Sequence, residues 1–246
     1  MLGSWILNDD IIEFIQSRSA KKKEALMSII EDFDQVLTKP ERQIMARLTT
    51  PNKIQTFLDG LPYSTEAIYR CPLRVLRERI AHCFDGALFA AASLRRIGYP
   101  PLILELIPDD RDDDHMVALY RRNRHWGAVA KSNVVGLRFR EPVYRTVREL
   151  VMSYFEQFYN LAYEKTLRSF TVPLNLKVFD RYGWMTKDEP LERISERLDK
   201  VRKVRILTPR MIAGLSPTDE RSYQAGLLGA NEKGLYRLPK KHYKKI

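Results

Sequence analysis

Apolar positions recur at helical spacing through the first fifty residues. Ile12, Phe14 and Ile15 follow Asp9 and Asp10; Ala25, Leu26, Ile29, Ile30 and Phe33 follow three consecutive lysines. Intervals of three and four place such residues on one side of a helix, so two helices are predicted here. Pro40 opens a third, with Ile44, Met45 and Leu48 on one side. Thr50-Pro51 predicts a fourth, a hydroxyl cap followed by a proline where its missing N–H does no harm, ending near Gly60-Leu61-Pro62.

The pattern changes in the middle of the chain. Residues 73–81 predict a short helix and residues 83–97 a longer one, whose small apolar face is Ala87, Ala90, Ala91, Leu94 and Ile97. Gly98 suits a left-handed C-terminal cap, and Pro100-Pro101 cannot continue a helix. The run 102–107 is apolar except for Glu105, as a buried strand would be. An acidic loop with Asp109, Asp110, Asp112, Asp113 and Asp114 leads to a second run, 115–120. A four-residue polar connection, 121–124, precedes 126–130, which predicts an antiparallel hairpin.

Beyond Pro142 the spacing of Val147, Leu150, Val151, Tyr154, Phe155 and Phe158 predicts one amphipathic helix. A strand is expected around Pro173 within 171–179, a charged helix over 191–201, a strand over 204–207, and irregular chain from Ser216. The expected organisation is a helical N-terminal extension (1–50), a core (51–165) and a C-terminal α/β extension (166–246) with a basic tail, packing on the same core.

Composition narrows the class. Of 246 residues, 44% are hydrophobic and 30% charged, as in an ordinary folded protein. No apolar stretch approaches the roughly 20 residues that span a bilayer, and the N-terminal apolar piece runs into two aspartates, so no export and a cytoplasmic location are expected. Two cysteines, Cys71 and Cys83, are too few for a disulfide framework or a Cys-rich zinc site. The net charge of +11 is compatible with nucleic acid or an acidic surface as partner. The aspartate loop lacks the ligand spacing of a calcium loop and reads as a solvated connection. The aromatic and basic stretch 136–145 reads as an arginine network under the core or as a nucleic-acid contact.

The chemistry converges on two residues. Cys83 falls in the first turn of its predicted helix, where unpaired N–H groups and the helix dipole favour thiolate. His115, one of four histidines, opens a predicted core strand, from which it can meet that cysteine as base meets nucleophile.

With these elements in order, residues 50–160 resemble the transglutaminase-like (papain-like) superfamily. The resemblance is carried by Cys83 at a helix start with Asp85 two places on, Ala90-Ala91-Ala92, Leu94 through Gly98, Pro100-Pro101-Leu102, His115 and Trp126. It implies an α+β fold: a cysteine-bearing central helix packed on an antiparallel sheet, here with a helical N-terminal extension. It also implies a cysteine hydrolase or acyl transferase acting on the amide of a protein or peptide substrate through a thioester, with no cofactor. The family's usual aspartate, four residues after the tryptophan, is Ala130 here; Ser132 or Asn133 is the candidate to orient the imidazole. The alternative is a catalytically inactive scaffold that works as a basic binding module.

Overall fold

A computed structural model describes residues 33–237. The helices expected over residues 12–32, except for Phe33, and the basic tail from residue 238 lie outside the described residues. The chain divides into two units, residues 1–42 and 43–246. In the first, the Thr38 hydroxyl and the Glu41 carboxylate receive one another's backbone N–H groups, a reciprocal box that starts helix α1 (Lys39–Arg47).

The second unit carries the sheet. Helix α2 (Pro51–Asp59) starts as its sequence predicts: the Thr50 hydroxyl accepts the Lys53 N–H, and Pro51 fills the first turn. Helix α3 (Pro72–Glu78) stops short of residue 81 because Arg79 turns left-handed at φ 57°. Helix α4 (Cys83–Arg96) ends in a Schellman cap: Gly98 sits at φ 93°, its N–H reaches the Arg95 carbonyl, and Tyr99 N–H reaches that of Leu94.

Strands β1 (Leu102–Pro108), β2 (His115–Arg122), β3 (His125–Val129), β4 (Arg140–Tyr144), β5 (Leu167–Thr171), β6 (Leu174–Asn175) and β7 (Lys203–Arg205) form one antiparallel sheet. Its order is β4-β3-β2-β1-β5-β7, with β6 also on β1. The β2–β3 connection is tighter than predicted. Arg122 pairs with His125, and Asn123 and Arg124 both take positive φ, as a two-residue hairpin turn requires.

Side-chain alternation gives the sheet two buried faces. Leu104, Leu106, Val117, Leu119 and Ala128 lie in one core with Leu150, Val151 and Tyr154. Helix α4, buried from Phe84 to Arg95, packs on β1 and β2 across the opposite face. This is the helix-on-antiparallel-sheet α+β arrangement that the resemblance implies. Its close approach needs Gly86, where an added Cβ would fall 2.2 Å from that of Lys131. At its far end Arg95 makes a two-pronged ion pair with Asp180, at 2.6 and 2.9 Å.

Three expectations are corrected. The helix expected over 147–158 is only α5 (Val147–Met152), followed by a 3₁₀ turn, Phe155–Gln157. Ser153 ends it, donating its hydroxyl to the Leu150 carbonyl and receiving Arg140 on that same oxygen. Its apolar positions from Leu150 to Phe158 are buried all the same, and Val147 is half-buried. The strand expected around Pro173 is split into β5 and β6, since proline lacks the N–H a ladder needs. The chain after Ser216 is not wholly irregular. After α6 (Leu191–Lys200) and α7 (Pro209–Ala213), Asp219 caps α8 (Glu220–Gly226) by accepting the Ser222 N–H.

Candidate active site

Cys83 is the first residue of α4. The residue before it, His82, is the cap: its Nδ1 accepts the Phe84 N–H at 3.1 Å, and its Nε2–H therefore points to the Ile68 carbonyl at 3.1 Å. Asp85 is fully buried and points back, accepting the N–H groups of His82 and Arg70, with the Arg70 guanidinium 3.6 Å away. Its charge is thus held by the helix start rather than turned on the thiol. Arg70, 2% exposed, also binds Glu66 and Glu78.

The Cys83 sulfur lies near the first residues of β2, beside Met116. The Tyr63 phenol touches both the thiol and the Cys83 backbone N–H. Burial, then the charges of Asp114 and Asp113, push the thiol well above its usual pKa, so the resting group is a thiol. Cys71, buried before α3, is raised to about 12, mainly by burial.

His115 is 5% exposed, and its Nε2 lies 2.7 Å from the Leu137 carbonyl. A carbonyl only accepts, so Nε2 carries the proton and Nδ1 is the free base. Burial lowers the imidazole pKa to about 4, leaving it neutral at pH 7. Arg140 holds the loop that carries Leu137, binding the Gly136, Phe139 and Ser153 carbonyls and stacking 3.9 Å over Tyr154; it belongs to the arginine network under the core.

Cys83 and His115 both lie at the start of β2 with no hydrogen bond between them among the described residues: alternation puts Met116 on the α4 face beside the thiol, and His115 on the opposite face with Val117. Neither Ser132 nor Asn133 bonds the imidazole. The Ser132 hydroxyl accepts the Val134 N–H. The Asn133 amide pairs with the main chain of Asn231, at 2.9 and 2.8 Å. Ala130 is fully buried, and Gln55 grips its main chain from both sides.

Two cavities flank this point. One, of about 920 Å³, is lined by Cys83, Glu105, Asp114 and Met116; the other, of about 80 Å³, by His115, Leu137 and Phe158. Tyr63 and the segment 234–236 line both. Gly234 packs so closely on the Tyr63 ring that an added Cβ would sit 2.9 Å from it. Tyr63, the Leu137 carbonyl and this segment carried no sequence signal; Glu105 carried one, as a lone carboxylate in an apolar strand. Among the described residues no group of three or more His, Cys, Asp or Glu side chains is arranged to hold a metal, and no helix is long and apolar enough to cross a membrane.

No protein-family model matches the chain, and no curated protein matches it. Solved structures similar to it include Legionella pneumophila LapG, at 12% identity and TM-score 0.33 over 46% of this chain and 75% of that one. An EGTA-treated form of LapG gives 13% and 0.32, over 44% and 69%. A Cytophaga hutchinsonii protein described as a candidate cysteine protease gives 16% and 0.27, over 54% and 45%.

Proposed function

We propose that this chain is a cysteine enzyme acting on an amide or peptide bond through a thioester. One observation carries the reading: Cys83 opens a buried helix beside the start of β2, whose first residue is a buried histidine with its Nδ1 free. Thiol and imidazole both rest neutral, so His115 acts as general base as the sulfur attacks rather than as partner of a standing ion pair. Cys83 Sγ bonds to the carbonyl carbon while its proton passes by way of one water to His115 Nδ1, since thiol and imidazole face opposite sides of β2. The Cys83 N–H and the Tyr63 hydroxyl are the donors for the oxyanion. Collapse expels the amine with the proton from His115, leaving a thioester that water or a second amine resolves. The Leu137 carbonyl takes the orienting part that an aspartate plays in the family, with less charge to stabilise an imidazolium.

The test is alkylation of Cys83 by iodoacetamide against pH, in wild type and His115→Ala, with Cys71 in the same protein as reference. Cys83 is expected to react at least tenfold faster than Cys71 at pH 7 and to lose that lead without His115, a reactivity set by its microenvironment. A Cys83 no faster than Cys71, and indifferent to His115, overturns the reading.

A further inference from the structure

The larger cavity is acidic in a basic protein. Its wall carries eight carboxylates, with Lys233 the one lysine, while the chain as a whole is +11. The carboxylate that matters most is Glu105. By alternation it lies on the α4 side of β1, opposite Met116 of β2, and both line the cavity beside Cys83. Glu105 is only 8% exposed, and its Oε2 has no hydrogen-bond partner among the described residues. A buried carboxylate oxygen without a donor is costly to the fold. The Asp114 carboxyl nearby offers no match, since two carboxylates repel when both are charged. Other acids of the wall are already matched: Glu66 by Arg70 and Asp188 by Arg74. Glu105, Asp113 and Asp114 have no ion pair among the described residues.

We infer that this cavity is a specificity pocket for a cationic side chain of the peptide substrate, arginine before lysine, seated between Glu105 and Asp114 beside Cys83. The inference rests on the reading of Cys83 as nucleophile only for the word substrate; the pocket binds whether or not the thiol reacts. A guanidinium presents a planar fork of donors that can serve two carboxylates at once, whereas an ammonium is a point charge. A volume of about 920 Å³ has room for such a side chain and its neighbours. The position also has a chemical consequence. After burial, the charges of Asp114 and Asp113 hold the Cys83 thiol protonated, so a bound cation offsets them where the thiol must ionise.

The test is calorimetric binding to the Cys83→Ala full chain, which separates pocket from chemistry. The probes are acetyl-arginine amide and its neutral isostere acetyl-citrulline amide. The arginine probe is expected to bind at least tenfold more tightly, to weaken with added salt, and to lose at least tenfold in Glu105→Gln and in Asp114→Asn. Glu105→Gln should also raise the melting temperature of the free protein, because it relieves the crowding of two carboxyls, Glu105 and Asp114. Equal binding of the two probes, or none, overturns the inference. So does calcium chloride binding that depends on Glu105 while arginine does not bind, which would make the pocket a cation site.

Discussion

The two sides of the β2 start are built for different work. On the Cys83 side lies a wide, acidic cavity, and burial, then the charges of Asp114 and Asp113, raise the thiol's pKa. On the His115 side the space is about 80 Å³, lined by Asp112, Ser132 and Asn133 as well as Leu137 and Phe158, and the buried imidazole's one bond among the described residues is to a main-chain carbonyl. Binding and proton transfer are thereby divided between two spaces that share Tyr63, Asp113, Asp114 and the segment 234–236. A charged neighbour placed beside His115 would shift the base, while the same charge beside Cys83 would shift the nucleophile and the ligand together.

The largest expected effect breaks the Cys83 side. Arg70→Met removes the cation that matches Asp85, Glu66 and Glu78, leaving Asp85 fully buried under the start of α4. Losing one partner of a buried pair costs about 3–5 kcal/mol, which for a chain of this size lowers Tm by roughly 10 °C. Thermal melting of the variant against wild type measures it, and an unchanged Tm would show that Asp85 does not depend on this guanidinium.

The second effect contrasts the two sides through pH. The folded His115 titrates near 4 instead of 6.5. Between those values the unfolded chain holds a proton that the fold refuses, so stability falls as pH falls, by about 3 kcal/mol in full. The acids run the other way. Asp114 is raised to about 7, by desolvation and by Glu105, and Asp112 to about 6, chiefly by burial. Their contribution is present below pH 3.8 and lost as pH rises through those values. Urea unfolding from pH 4 to 8 should therefore show a loss on the acid side that is absent in His115→Gln, and a loss on the neutral side that is reduced in Asp114→Asn.

The smallest effect opens the shared wall. Asn133→Ala removes two hydrogen bonds to Asn231. It should cost about 1–2 kcal/mol and raise the rate of Cys83 alkylation a few-fold, read against Cys71. A slower Cys83 would mean that the segment supports the thiol instead of covering it.

How much of this was legible in the sequence follows from where each interaction is written. Cys83 in a first turn, Gly98 as a left-handed cap and His115 at a strand start are local patterns, and each was readable from a few neighbouring residues. The orienting partner of His115 was not. A main-chain carbonyl has no letter, so Ser132 and Asn133 attracted the assignment by side-chain chemistry while Leu137 supplied the acceptor. The 147–158 segment shows the other limit: apolar spacing foretold which residues are buried, but Arg140 and Ser153 decided where the helix stops. Tyr63 reaches Cys83 through the pairing of Ser64 with Ala81, a contact that leaves no period in the sequence.

The amide pair between Asn133 and Asn231 joins positions 98 residues apart, and Asn231 also reaches the Tyr63 carbonyl, 168 residues away. Contacts of such sequence separation form late, because long loops must close first. On the ribosome the order is stricter still. Helix α4, the hairpin and both cavity walls are synthesised before the segment that lies across them exists. A growing chain therefore passes through a stage in which Tyr63 and Asn133 still lack the segment that will lie against them.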